Sequence, residues 1–390
     1  MTPRPDRQRA LKLVGTGVFL LALAASAQIG SQLTLGFDLL AYWDAGRHVA
    51  AGEPLYRAEG EALGQLGEFR YPPHVALAFV PLAALALPVA KVLWLAVQLA
   101  VAGAVGIALL RRLPAAARPW AAAAYVLYLP LVLEVVLGNL NLLTLALCLL
   151  AWRWRDRPAL AGGVLAAGLG LKLLPLTLIP FYLAAGRIRT VLWCLATGLV
   201  VLTGTAILLP VRLAEFLALL LRLTETPWVR TAIDREQPEL LATILWSRGL
   251  TVILALLAVA IAIAAGRAAA RCGADETHLH ALALATAPYL APFAVFWTTF
   301  LVFSLPLFAS TLGRALSLDS ARGRALAAAA LACCWLLIQV VRLHDLMPIA
   351  AHLSGVVGLC LLAVVLLPTG PDVQAREGRL TPEAATSRRA

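Results

Sequence analysis

Asp38 stands just past the first apolar stretch, in the run Phe37-Asp38-Leu39-Leu40-Ala41-Tyr42; Gly52-Glu53-Pro54-Leu55-Tyr56 and Tyr71-Pro72-Pro73 follow. A carboxylate is costly near hydrocarbon, so one placed there points to a task. Held within hydrogen-bond reach of a hydroxyl, it can take that hydroxyl's proton. The same residue would also suit the cap of a helix running through Tyr42 to Val49. Tyr42, four residues on, would share its face and could orient it. Asp44, six residues on, turns to the opposite side and reads as solvated. Tyr56 and Tyr71 suit stacking on a ring of a bound ligand, or anchoring of the loop at the membrane interface.

A second set of polar residues interrupts apolar blocks further along. Lys172 lies between Leu171 and Leu173, where an ammonium must snorkel to the headgroups or find an anion. Glu134 precedes Gly138-Asn139-Leu140-Asn141 in another apolar run. It could pair with an arginine or with Lys172, or lie at the interface. Asn139 and Asn141 could bind a ligand's hydroxyls or simply form a helix-breaking turn. The stretch 212–248 mixes Arg222, Arg230, Arg235 and Arg248 with Trp228 and Trp246, which suits an anionic lipid head, or an ordinary interfacial helix.

These residues need a membrane scaffold. The 390 residues are 61% hydrophobic and 14% charged, with a mean hydropathy of +0.85. Soluble domains are about half apolar and about a quarter charged. The net charge of +11 is spread in short basic clusters between apolar spans: Arg4 to Lys12, Arg111 to Arg118, Arg153 to Arg157, Arg187 and Arg189, Arg267 and Arg271, Arg314 to Arg324, and Arg376 to Arg389. That is the pattern of cytoplasmic loops. A nucleic-acid footprint would need one continuous basic face, so no nucleic-acid partner is expected. Five of the six cysteines lie in apolar runs, and Cys272 sits in a basic loop. No metal-ligand spacing is present, and no metal or cofactor is expected.

A crossing helix needs about 20 residues. Clear spans are Lys12 to Gly30, Val89 to Leu110, Arg189 to Pro210, Leu250 to Gly266, Arg324 to Val341 and Met347 to Leu367. Longer blocks are expected to divide at Gly138–Asn141, near Lys172–Pro175 and around Pro292. Pro81 and Pro88 break the stretch from Pro73 to Leu110, giving a short embedded helix and then one full span. Placing every arginine cluster inside puts Asp38, Asn139, Lys172, residues 212–248 and His344-Asp345 on the outer face. The expectation is an all-α integral membrane protein of about 11 to 13 spans with both termini cytoplasmic. It forms one polytopic domain over 1–368, with outer loops near 31–72 and 212–248, and a polar tail over 369–390. The first span also resembles a secretory leader, with Ala25-Ser26-Ala27 as a cleavage-like site; Asp38 would survive such cleavage.

The run Asp38, Tyr42, Ala45, Gly52, Leu55-Tyr56, Tyr71-Pro72-Pro73 and Pro81-Leu82 resembles the GT-C glycosyltransferases of family GT87, the polyprenyl-phosphate-mannose-dependent, phosphatidylinositol-mannoside-type mannosyltransferases. Gly138-Asn139 with Asn141, then Ala161-Gly162, Gly168-Leu169, Lys172 and Pro175, resembles the family's second block. The resemblance runs through most of the first half and is patchy later. It implies a GT-C-type bundle with an extracytoplasmic site, Asp38 as catalytic base, and Lys172 near the donor phosphate. Tyr42, Tyr56, Tyr71, Asn139 and Asn141 would help position sugar or acceptor. Arg248 resembles a family arginine in position, but the segment before it, Glu236 to Leu240, departs from the pattern. Family members often carry a histidine in a late Ser-Pro-x-x-Trp-x-His block. Here Ala291 to Thr299 holds none, and His344 is a possible substitute.

The expected function is therefore transfer of a hexose, mannose by resemblance, from a polyprenyl-phosphate carrier to a hydroxyl of a lipid or glycan acceptor. Anomeric inversion is implied, at the outer face of the plasma (inner) membrane. A rival is a transporter or flippase of lipid-linked sugars, which would need its polar residues at mid-membrane and reachable from both sides. A non-catalytic homologue is the third reading.

Overall fold

The computed structural model describes residues 5–56, 69–223, 238–272, 276–290, 298–316 and a few positions between 324 and 332. The chain divides into two units, 1–313 and 314–390, and the first carries the candidate site. Every regular element among the described residues is helical: α1 Pro5–Ser31, α2 Phe37–Ala51, α3 Pro73–Ala83, α4 Leu87–Leu110, α5 Arg118–Val126, α6 Leu129–Leu137 and α7 Asn141–Arg153. Then come α8 Pro158–Leu171, α9 Leu178–Ala184, α10 Ile188–Leu208, α11 Pro210–Leu223, α12 Pro238–Cys272, α13 Glu276–Ala285 and α14 Leu305–Leu316. Short 3-10 segments cover Leu174–Thr177, Ala287–Leu290 and Thr298–Ser304.

Five stretches are long and apolar enough to cross a bilayer: Leu13–Ser31, Leu87–Leu110, Ile188–Leu208, Thr251–Arg271 and Thr299–Leu316. The α5–α6 pair, bent by 55°, makes a sixth if taken as one span. The protein is an all-α integral membrane protein. The long helices are fewer than the hydropathy count because several expected crossings are broken or short helices. Two more, Arg324–Val341 and Met347–Leu367, fall largely or wholly outside the described residues, as do the tail and the break around Pro292.

The breaks have local causes. Pro130 lacks an N–H, so it cannot bond the Val126 carbonyl four residues back. Ser26 on α1 donates to that carbonyl at 2.5 Å instead. Freed backbone groups inside a bilayer require such a substitute. The leader-like Ala25-Ser26-Ala27 thus lies within continuous helix α1, with Ser26 buried. Pro175 likewise ends α8 at Leu171, the residue whose carbonyl its ring would strike. Lys172 is left extended, at φ −150 and ψ 135.

Pro73 to Leu110 resolves as expected, into the 11-residue α3 and the 24-residue α4. Helices α7, α8 and α10 pack side by side, α12 packs on α9 and α13, and α1 packs on α5. Close approach relies on glycine: a Cβ at Gly162 would lie 2.5 Å from Thr190 O and 2.6 Å from Trp193 Cβ on α10. Small residues serve this purpose between membrane helices, where packing rather than water expulsion drives association.

Outside the long helices, α2 and α3 fold over a core of Leu39, Tyr42, Ala45, Leu55, Phe69, Val75, Ala76, Phe79 and Leu140. The Tyr42 ring meets Tyr71 at 5.2 Å edge-on and Phe79 at 5.0 Å, and Phe79 meets Trp94 of α4 at 5.0 Å. This aromatic wedge fixes α2 against the bundle.

Candidate active site

Asp38 sits in the first turn of α2, behind an N-cap taken by Gly36 at φ 67. The alternative role as helix cap is not what it does: no side chain caps α2. Gly36 N–H donates to Val136 O on α6 at 2.8 Å, which sets the start of α2 beside the α6–α7 turn. There Asn139 Nδ2 donates to Asp38 Oδ2 at 2.6 Å. Oδ1 of Asp38 accepts no hydrogen bond among the described residues.

The α6–α7 turn depends on Gly138, at φ 77. A Cβ there would lie 2.9 Å from Trp94 Cδ1. Two side chains of α4 hold the turn's carbonyls: Trp94 Nε1 donates to Gly138 O at 2.8 Å, and the buried Gln98 donates to Asn139 O at 2.5 Å. Glu134 organises the rest. Its main-chain oxygen accepts from Gly138 N at 3.0 Å and Asn139 N at 3.3 Å. Its carboxylate, fully buried at 0% exposure, accepts from Asn141 Nδ2 and from Leu142 N, both at 2.8 Å. Leu142 is at the start of α7, where backbone N–H groups lack helical partners and a negative charge is favoured.

Lys172 completes the cluster. Its ammonium donates to Asn139 Oδ1 at 2.9 Å and to Asn141 Oδ1 at 2.7 Å. It also lies 4.6 Å from the centre of the Phe300 ring and 5.7 Å from that of Tyr71. An ammonium is attracted to both ring faces. The polar residues therefore form one chain in the order Asp38, Asn139, Lys172, Asn141, Glu134. Amide orientation follows from the neighbours: each asparagine turns its oxygen to the ammonium and its NH2 to a carboxylate. Thr299 Oγ1 accepts a further bond from Asn141 Nδ2 at 3.2 Å. The late segment without a histidine thus still reaches the cluster, with a hydroxyl and a ring.

Burial raises the pKa of Asp38 above the ordinary aspartate value, while the Asn139 hydrogen bond and the charge of Lys172 act to lower it. A carboxylate displaced upward is a better proton acceptor.

The other predicted residues are placed as follows. Tyr42, 1% exposed, bonds Tyr71 Oη at 2.9 Å rather than Asp38. Tyr56 Oη donates to Tyr71 O at 2.6 Å. The three tyrosines thus brace one another, and Tyr71 carries their position to Lys172. Asp44 is beside His48, at 3.7 Å, on the outer side of α2. Arg248 is in α12, but its side chain lies outside the described residues, as do Arg222, Arg230, Arg235, Trp228, Trp246 and His344.

Sequence reasoning passed over Trp94, Gln98, His74 and Phe300. Trp94 and Gln98 are four residues apart, on one face of α4, and a glutamine inside so apolar a run marks an intramembrane contact. His74 pairs with Gly170 O at 2.9 Å, tying α3 to the end of α8 just before Lys172.

At their far ends the same helices carry arginines. Arg155 follows α7 and Arg187 precedes α10, and Arg187 donates to Arg155 O at 2.9 Å and to Glu276 at 3.0 Å. That end of α7 thus carries an arginine cluster with Glu276, apart from the Asp38–Lys172 cluster.

The family model for glycosyltransferase family 87 matches residues 69–290. The chain belongs to that family. The match contains Glu134, Asn139, Asn141 and Lys172 and begins after Asp38. No curated protein and no solved structure matches the chain. As a member of glycosyltransferase family 87 with membrane-spanning helices, the protein is a membrane glycosyltransferase.

Proposed function

We propose that this glycosyltransferase moves a hexose, mannose in the first instance, from a polyprenyl-phosphate carrier to a hydroxyl of a lipid or glycan acceptor. The observation that carries the reading is Asp38. One carboxylate oxygen has no hydrogen bond among the described residues, and the other is joined through a single amide to the ammonium of Lys172. A sugar held between these groups would meet a proton acceptor on one side and a cation for its phosphate on the other.

The bonds balance without a further reactant. The acceptor oxygen forms a bond to the anomeric carbon as the bond from that carbon to the phosphate oxygen breaks. The hydroxyl proton passes to Asp38, and the electron pair leaves with the lipid phosphate. Attack from the face opposite the leaving group inverts the anomeric centre. Charge gathering on the phosphate would be met by Lys172, a fixed cation of the kind that stabilises a developing anion. Proton removal by a placed carboxylate contributes about 10²- to 10⁴-fold in rate. Tyr42 and Asn139 serve as positioning residues, Tyr42 through Tyr71 and Asn139 through the base itself.

The arginines at the opposite end of α7 support an orientation with that end in the cytoplasm, at the plasma (inner) membrane, and the Asp38 end outside. The test is transfer of labelled mannose from polyprenyl-phosphate-mannose to lipid extract in membranes expressing wild type or Asp38→Asn. Label in a new product with wild type alone supports the reading. Equal label with both sinks Asp38 as base, and none with either sinks the donor.

A further inference from the structure

We propose that Glu134 is a positioning residue: through the Asn141 amide, its carboxylate holds the Lys172 ammonium in the place where a donor phosphate is met. The role of Lys172 rests on the transferase reading above; the geometry that fixes it does not.

A fully buried carboxylate is destabilising unless paired and hydrogen-bonded. Glu134 uses both oxygens, one for Leu142 N and one for Asn141 Nδ2, each at 2.8 Å. Turning the Asn141 amide over would set its NH2 against the ammonium of Lys172 and its oxygen against the carboxylate. Glu134 thereby locks the amide oxygen toward Lys172, at 2.7 Å. Asp38 does the same on the other side through Asn139, at 2.6 Å and 2.9 Å.

The two arms differ during reaction. Asp38 loses its charge on taking the acceptor's proton, and its grip on the Asn139 amide weakens at that moment. Glu134 takes no part in the proton transfer. The Asn141 arm therefore stays in place and keeps the ammonium from drifting as the phosphate departs.

Glu134→Gln tests this. Whichever way the new amide is turned, its NH2 faces a donor, either Asn141 Nδ2 or Leu142 N. The double variant Glu134→Gln/Asn141→Asp repairs the pairing and keeps the net charge. The new glutamine accepts from Leu142 N and donates to the new aspartate, whose other oxygen takes Lys172.

Two readouts are used on full-length protein in lipid nanodiscs. The first is the rate at which acetic anhydride acylates Lys172, followed by peptide mass spectrometry with Lys91 as internal reference. A rise of about tenfold is expected in Glu134→Gln, matching one lost charge-assisted hydrogen bond, with return to within about twofold in the double variant. The second is transfer: kcat should fall about tenfold or more in Glu134→Gln while KM for the acceptor holds within about twofold, and the double variant should recover kcat.

Wild-type acylation of Lys172 in folded Glu134→Gln overturns the proposal, as does a folded double variant that fails to recover. If Glu134→Gln does not fold, the double variant decides alone by the same criterion. Absence of any transfer by wild type would remove the donor reading, and the acylation rates would still decide whether Glu134 fixes Lys172.

Discussion

Asp38 and Lys172 hold opposite ends of one amide: Asn139 donates to the carboxylate at 2.6 Å and accepts from the ammonium at 2.9 Å. The carboxylate and the ammonium are thereby kept at a set spacing, with a neutral group between them. A direct ion pair between these two would engage the carboxylate itself and leave it less able to take an acceptor's proton. Replacement of Asp38 by Asn is therefore expected to lower transfer by about 10²- to 10⁴-fold, with an unfolding temperature near that of wild type. Equal transfer in a matched membrane assay would remove Asp38 from the chemistry.

The pH profile should carry the signature of the same residue. A carboxylate acts as base only when ionised, and burial raises the pKa of Asp38. Activity is thus present above that raised pKa and lost as pH falls through it. The acid limb of kcat/KM should lie above the value of about 4 of a solvated aspartate. Asn139→Leu removes a donor that favours the ionised form, so its limb should move to still higher pH. A limb that stays in place would mean that another group is titrating.

Replacement of Lys172 by Met should reduce kcat by about 10²- to 10³-fold, the cost of removing one group that stabilises a developing anion. Lys172→Arg is not expected to rescue it. The ammonium is shared between two amide oxygens at 2.9 Å and 2.7 Å, a point-charge arrangement that a planar guanidinium does not reproduce. Single-turnover rates at saturating donor would separate this effect from weaker binding.

Gly138→Ala places a side chain in a left-handed conformation, which costs about 1–2 kcal/mol. It also sets a Cβ 2.9 Å from the Trp94 ring. A lower unfolding temperature in detergent is expected, together with reduced transfer, since the turn carries Asn139. Wild-type stability would show that Trp94 can move aside freely.

Much of this was legible in the sequence, because proline and glycine act locally. The breaks at Gly138–Asn141 and Lys172–Pro175, and the division of Pro73–Leu110, follow from residues that cannot continue a helix. The alliances between polar residues were less legible. Asn139 and Asn141 read as partners for a sugar or as a helix-breaking turn; they lie at that turn, and their amide groups are engaged by Lys172, Asp38 and Glu134. Glu134 was left between pairing and interface, because its partner Leu142 N is a backbone group whose availability depends on where α7 begins. Tyr42 shares a helical face with Asp38 but turns its hydroxyl to Tyr71, 29 residues away. Periodicity gives a face; long-range folding chooses the neighbour.

Helix α4 faces lipid along much of its length, with Val89, Val92, Leu93, Val97, Leu99 and Ile107 all exposed. Its Trp94 and Gln98 nonetheless grip the carbonyls of Gly138 and Asn139. The turn that carries Asn139 is thus tethered to a beam that floats in the bilayer, and thinner or thicker membranes that change the beam's tilt will pull on the tether. Transfer rates measured in a series of acyl-chain lengths should pass through an optimum, and Gln98→Leu should flatten it.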